Sequence, residues 1–345
     1  MTPPGVRVAV VGCGDFGRNH VRVYRELGAQ IAGVYDVDRA RRDQVAAEFG
    51  VPALASIEHL GDKVDAASVA VPTIEHSRVG CALLEQGIDV LMEKPMAGSL
   101  VEADRLIAAA RRQGRILQVG HVERYNPGLV AVLPHVARPL FFEVHRLGIF
   151  SPRSLDVDVI YDVMIHDLDI LQAVVGEAVV DVRAVGIPVV TKRVDIAHAR
   201  LEFSGGAVAN VTASRVSTER VRKLRFFQAH EYFSVDFSRR DAVRIRVADS
   251  EGGAHPKAGG VPAAASPPGT AGQPQFTFEK LPAQPIEPLR AELEAFLHSC
   301  RTRQAPQVDG AAGRRALELA DRVMTGILEH RGRVQLDELV PEKRA

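Results

Sequence analysis

The sequence is short of cysteine, of net charge and of long apolar runs, and each shortage removes a class of protein. Only three of its 345 residues are cysteine (Cys13, Cys81 and Cys300), and they lie far apart. An odd, scattered set gives neither a disulfide framework nor the paired spacing of a zinc site, and it suits a reducing, cytoplasmic compartment. Lys and Arg together number 43, as do Asp and Glu, so the formal net charge is zero. A polyanion binder would rest on an excess of cations, so nucleic acid is not an expected partner. No run approaches the roughly 18 apolar residues of a membrane span. Nor is a secretory signal expected, since the run from Val8 to Val11 passes directly into a glycine turn. No repeat of solenoid length is visible. What is present is ordinary for a globular protein: 46% hydrophobic and 25% charged residues, in a chain long enough for about two domains.

The first third alternates strand and helix patterns. Val6–Val11, Gln30–Tyr35, Ala66–Val71, Ile88–Met92 and Ile116–Val119 read as strands. Between them run helix patterns at Gly17–Leu27, Arg39–Phe49 (stopped by Gly50), Glu75–Gln86 (stopped by Gly87) and Leu100–Gln113 (stopped by Gly114). That alternation predicts a parallel, doubly wound sheet of Rossmann type over residues 1–120. After His121 the rhythm changes. Val159–Val175 reads as a helix, with Met164, Leu168, Leu171 and Val175 recurring on one face. Strand patterns surround it at Phe141–Leu147, Val179–Val185, Ile196–Phe203, Ala207–Ala213, Val221–Phe227, Tyr232–Phe237 and Ala242–Val247. Short turns such as Gly205-Gly206 predict mostly antiparallel neighbours, hence an α+β domain with a large sheet over 121–345. The Gly-, Pro- and Ala-rich stretch 249–275 predicts a mobile surface loop. Helix patterns at Leu289–Cys300 and Ala311–Glu329 close the chain.

Gly12-Cys13-Gly14-Asp15-Phe16-Gly17 follows the first strand and opens the first helix. The first glycine permits the tight turn, the second lets backbone approach a pyrophosphate, and the third lets helix pack on strand. Free N–H groups of the helix N-terminus, with its dipole, favour the phosphates. Asp36 ends the second strand 24 positions after Gly12, near the separation at which a carboxylate accepts from adenosine ribose hydroxyls. That favours NAD. Arg39, Arg41 and Arg42 keep NADP open, because an arginine there can receive a 2′-phosphate. Pro72, Thr73 and His76 sit at another strand end and are candidates for cofactor contact; a helix N-cap explains Thr73 nearly as well.

Glu93-Lys94-Pro95 ends the fourth strand, where ligand crevices of open α/β sheets lie. A lysine there can hold a substrate oxygen and help move a proton, although the tripeptide alone reads equally as a surface lysine beside a turn. Asp162 and His166 stand four apart in a helix pattern, so a carboxylate can orient an imidazole as a base. From spacing alone an ordinary surface pair is the better reading. A metal site using Asp167 and Asp169 is discounted, since one histidine is local and the acids point to different faces.

Taken together, Val11-Gly12-Cys13-Gly14-Asp15-Phe16-Gly17, Glu93-Lys94-Pro95 and Asp162-x-x-x-His166-Asp167 resemble the Gfo/Idh/MocA family of nicotinamide-dependent oxidoreductases over nearly the whole chain. The resemblance implies an active site containing Lys94, Asp162 and His166, with no metal. It also implies a homodimer or homotetramer formed through the C-terminal sheet. Where many members carry glycines before the aspartate, this chain has Asp156-Val157-Asp158-Val159-Ile160-Tyr161. With Gly120-His121-Val122-Glu123-Arg124-Tyr125-Asn126-Pro127 it is similar to the branch of UDP-N-acetylglucosamine 3-dehydrogenase-like enzymes, which oxidise the 3-hydroxyl to a ketone. The substrate implied is a UDP-linked sugar, on the way to amino sugars of lipid A or surface glycans. Its diphosphate needs cationic or N–H partners. Arg124, Arg146 and Arg153 are candidates, with Tyr125, Asn126 and Tyr161 in the same segments, though each arginine reads as well as a solvated side chain. The alternatives are an inositol or other sugar dehydrogenase of the same family, and a non-catalytic protein that senses dinucleotide.

Overall fold

Val8, Ala9, Val10 and Val11 are all buried, an unbroken apolar run that only a strand covered on both faces tolerates. It forms an interior strand of a parallel sheet in the computed structural model, which describes residues 5–151, 157–248 and 275–335. The chain divides into two compact units. The first comprises the described residues up to Tyr125 together with Ile286–Asp321, and the second Asn126–Pro285 together with the residues from Arg322 onward.

In the first unit, β1 (Arg7–Val11), β2 (Gln30–Tyr35), β3 (Ala66–Val69), β4 (Asp89–Glu93) and β5 (Leu117–Gly120) pair in parallel in the order β2-β1-β3-β4-β5. The crossovers are α1 (Asp15–Glu26), α2 (Arg39–Phe49), α3 (Thr73–Glu85) and α4 (Leu100–Gln113). Local chemistry sets their ends. Asp38 caps α2 by accepting from the amides of Ala40 and Arg41, and Ser99 caps α4 by accepting from Glu102. Thr73 is the first helical residue of α3 and Pro72 takes the cap position without a side-chain bond.

The helix α7 (Pro288–Thr302) joins this unit, although the sequence pattern assigns it to the second domain. Its Leu293, Phe296 and Leu297 pack in one cluster with Val8, Val10, Val21, Tyr24 and Val34. An apolar helical stripe tells which face is covered but not what covers it, and so the boundary at residue 120 needs this correction. Burial of each such side chain contributes about 1.5–3 kcal/mol.

The second unit carries, among the described residues, an eight-stranded sheet of order β13-β12-β11-β10-β6-β9-β8-β7. The strands are β6 (Phe141–Ile149), β7 (Val179–Ile187), β8 (Ile196–Phe203), β9 (Val208–Ser217), β10 (Val221–Gln228), β11 (Glu231–Asp236), β12 (Asp241–Ala248) and β13 (Gln275–Leu281). All neighbours are antiparallel except β6 and β9, which run parallel. Alternation decides the faces: Phe142, Val144, Leu224, Phe226, Phe233 and Val235 are buried, and Phe226 stacks on Phe233 with centroids 4.6 Å apart. The stretch read as a helix over Val159–Val175 is two pieces, a π-helical turn Ile160–Met164 followed by the helix α6 (Ile165–Val175). A short helix α5 (Pro127–Val132) precedes the sheet, and α8 (Gly310–Arg333) ends the described chain. The expected loop at 249–275 lies, apart from Gln275, outside the described residues.

Candidate active site

In the first unit the glycine turn is over-determined by its neighbours. Gly12 has φ +97°, and a Cβ there would lie 2.4 Å from the carbonyl oxygen of Ala70. A Cβ on Gly17 would lie 1.7 Å from the carbonyl oxygen of Gly12, so α1 starts hard against the turn. Gly14 differs: nothing stands within 4 Å of its Cβ position, and it caps α1 without a side-chain bond. The start of a twelve-residue helix thus has room beside Gly14, as a bound phosphate requires. Asp15 and Phe16 are exposed on that first turn.

Asp36 is brought onto the same turn. One of its carboxylate oxygens accepts from the Cys13 amide at 2.7 Å and the other from the Asp38 amide at 2.8 Å, leaving lone pairs for ribose hydroxyls. Arg41 reaches to 3.7 Å of Asp36 and is half exposed. Burial, and then the charge of Asp36, push the Cys13 thiol up to about 12, so it is no nucleophile. The residues present therefore fit a dinucleotide.

The tripeptide is held from below. His76 is buried, with Nδ1 2.8 Å from the Pro95 carbonyl oxygen and Nε2 2.9 Å from that of Val71. It ties the end of β3 to the turn after β4, and burial holds its pKa below the ordinary histidine value. The Lys94–Pro95 peptide is cis, and Lys94 is half-buried. Glu93 has one oxygen 3.0 Å from Nε2 of His20 and accepts from the Lys94 amide with the other. Burial alone would raise the Glu93 pKa, but the bond and charge of His20, with the charge of Lys94, hold it below the usual range. His20 escapes a motif search. The trace it leaves is a histidine on the buried face of α1, with Gly17, Val21 and Tyr24.

In the second unit Tyr161 and Asp162 lie in the π-helical turn and His166 in the first turn of α6; all three are half-buried. Arg146 is buried, and its guanidinium makes two 2.7 Å bonds to Asp167 while lying 5.1 Å from the centre of the Phe237 ring. That fork anchors β6 to α6. Asn126 caps α5 through Gly128 and donates to the Phe237 carbonyl at 3.1 Å. Tyr125 is buried and Arg124 half-buried, both in the 3-10 turn Val122–Tyr125 of the first unit. Arg153 lies outside the described residues. Among those residues no group of three or more His, Cys, Asp or Glu could hold a metal ion, and no helix is long and apolar enough to cross a membrane.

Comparison with known proteins identifies the family and the fold. Residues 6–121 match the oxidoreductase family with an NAD-binding Rossmann fold, and residues 143–233 the GFO/IDH/MocA C-terminal domain. The UDP-N-acetylglucosamine 3-dehydrogenase of Acidithiobacillus ferrooxidans is 37% identical over 323 residues, covering 93% of this chain and 97% of that protein. Its solved structure superposes with a TM-score of 0.82, covering 94% and 98% of the two chains at 34% identity. A scyllo-inositol 2-dehydrogenase (NAD(+)) of Bacillus subtilis is 28% identical over 232 residues, 61% of this chain and 68% of that one. Levoglucosan dehydrogenase, solved with NADH and levoglucosan, shares the fold at a TM-score of 0.79 and 17% identity, covering 94% and 98%.

Proposed function

Because this chain belongs to the Gfo/Idh/MocA family of NAD-binding oxidoreductases, we propose that it oxidises the 3-hydroxyl of UDP-N-acetylglucosamine to a ketone. The observation that carries the proposal is coverage. The 3-dehydrogenase relative aligns across 93% of the chain, through both units, whereas the inositol 2-dehydrogenase of Bacillus subtilis aligns with 61%.

The nicotinamide, when bound, supplies the hydride acceptor. The turn Gly12–Gly17 holds the pyrophosphate by backbone N–H groups, and Asp36 takes the adenosine ribose; Pro72, Thr73, Glu93 and Lys94 complete the cofactor set. His76 belongs to it indirectly, by fixing the turn at Pro95. His166, oriented by Asp162, withdraws the proton of the reacting hydroxyl, a kind of help worth about 10²–10⁴-fold. Lys94 supplies a cation that stabilises the negative charge developing on the substrate. Arg124, Arg153 and Tyr161 remain for the UDP-sugar, with Tyr125 beside Arg124.

The enzyme works in the cytoplasm, where UDP-sugars are made, as a homodimer or homotetramer joined through its C-terminal sheet. What supports that interface is the unburied side of β6 and β10, where Phe141, Phe227 and Tyr232 of β11 form a row with centroids 5.8 and 5.0 Å apart. The test of function is NAD reduction with UDP-N-acetylglucosamine, UDP-glucose, myo-inositol and glucose, run with a carbonyl trap because alcohol oxidation by NAD is unfavourable near neutral pH. A trapped ketone from the UDP-N-acetyl sugar supports the proposal. Turnover of inositol alone keeps the family and discards the substrate, while firm NAD binding without turnover favours a dinucleotide sensor.

A further inference from the structure

Glu292 is completely buried on α7, and neither of its carboxyl oxygens has a hydrogen-bond partner among the described residues. The buried face of α7 carries Leu293, Phe296 and Leu297, and the Glu292 backbone carbonyl accepts from the side-chain amide of buried Gln118 at 3.2 Å. Gln118 pairs in the sheet with Leu91, two residues before Glu93, and Leu91 belongs to the same buried cluster as Leu293 and Phe296 of α7. An isolated carboxylate is too costly to leave in such a place, and a lone buried carboxyl keeps its proton. Burial first, then the charge of Glu93, push the Glu292 carboxyl well above the ordinary range. Glu93 meanwhile stays ionised against His20 and Lys94.

We propose that Glu292 is a positioning residue for Lys94 that acts through Glu93: its carboxyl, buried and without a partner, stays neutral. This leaves Glu93 as the one negative charge that His20 and Lys94 meet. It rests on the reading of Lys94 as a catalytic residue. As pH rises the Glu292 proton leaves and a second negative charge adds to that of Glu93. The titratable groups on the elements packed round Glu292 are His20 and Tyr24 on α1, Glu93 and Lys94 at the end of β4, and His121, Glu123 and Arg124 after β5. Cys300 lies on α7 itself. Tyr24 donates to or accepts from Ser68 at 2.7 Å, and burial pushes both the Tyr24 hydroxyl and the Cys300 thiol far up, so neither competes for the proton.

Three readouts on the full-length protein separate the outcomes. In the first, melting temperatures of the parent and Glu292→Gln are compared from pH 5 to 8. The folded-state pKa of Glu292 lies above the unfolded value of about 4.3, so the parent loses stability as pH rises from that value while the amide does not. The gap in favour of Glu292→Gln should widen with pH; a constant gap overturns the protonated acid. In the second, lysines are dimethylated with ¹³C-formaldehyde and the Lys94 signal, assigned by its loss in Lys94→Arg, is titrated by NMR. Its midpoint should fall by about half a unit or more in Glu292→Gln, the expected sign for removing a nearby negative charge; an unmoved midpoint reduces Glu292 to a packing residue. The third is turnover. Glu292→Ala should lose about tenfold or more in kcat at little change in NAD affinity, with Glu292→Gln restoring most of it. If Lys94→Ala also keeps its activity, the reading of Lys94 has failed; if Lys94→Ala is dead and Glu292→Ala is unimpaired, only this inference has.

Discussion

The Nδ1 atom of His76 lies 2.8 Å from the carbonyl oxygen of Pro95, 19 residues further along the chain, and both are buried. The imidazole thus fixes the turn that displays Lys94 without being placed to do chemistry itself. His76→Ala should cost about 1–3 kcal/mol by leaving one of the Pro95 and Val71 carbonyls, the one to which the neutral ring donates, without its partner. It should also lower kcat more than it raises the NAD Kd. Urea unfolding and steady-state kinetics check the two halves.

The same histidine gives a pH signature. Its folded-state pKa lies below the unfolded value of about 6.5, because burial disfavours the charged ring. The unfolded chain therefore binds more protons across that window, and stability is full above pH 6.5 and declines as pH falls from there toward the folded-state pKa. Urea midpoints from pH 7.5 down to 5 should fall in the parent more steeply than in His76→Gln. Parallel lines would mean that His76 is not kept neutral.

Asp36 joins the end of β2 to the glycine turn through the Cys13 amide. Asp36→Ala should raise the NAD Kd about tenfold or more, as the loss of a charged hydrogen-bond partner does, and narrow the preference for NAD over NADP because Arg41 remains. Calorimetric titration with both nucleotides reads this directly. Unchanged affinity would place the adenosine ribose elsewhere.

Arg146 and Asp167 form an ion pair whose side chains are only 6% and 1% exposed. Breaking such a pair from one side strands a buried charge. Asp167→Asn should therefore cost about 3–5 kcal/mol, and Arg146→Met similarly, while the double variant should cost much less than the sum. Urea unfolding of the three variants completes the cycle. Additive losses would mean that the two side chains act independently.

Much of this architecture is legible in the sequence because it is written locally. Gly50 and Gly114 end α2 and α4 with φ of 64° and 60°, and Ile196–Phe203 forms β8 with the bounds its alternation predicts. The turn Gly12–Gly17 and Asp36 meet as their spacing suggests. What spacing does not carry is partnership over distance. His20 and Glu93 are 73 positions apart, and Arg146 and Asp167 are 21 apart on different elements. Nothing local marks Arg146 as an anchor, so it reads as a free cation. Likewise α7 shows an apolar stripe whose destination, the first unit, only the three-dimensional packing reveals. The π-helical turn at Ile160–Met164 is invisible for another reason: its residues fit an α-helical pattern equally well.

Oxidation of the 3-hydroxyl moves one hydride, from C3 of the sugar to the cofactor, and isotope transfer reads it. UDP-N-acetylglucosamine carrying deuterium at C3 is incubated with the enzyme, NAD and a carbonyl trap, and the reduced cofactor is examined by mass spectrometry. The account expects singly deuterated NADH, matched by a trapped ketone that has lost its label. Unlabelled NADH, with deuterium still on the sugar, would contradict it, and so would the absence of NADH while inositol is oxidised.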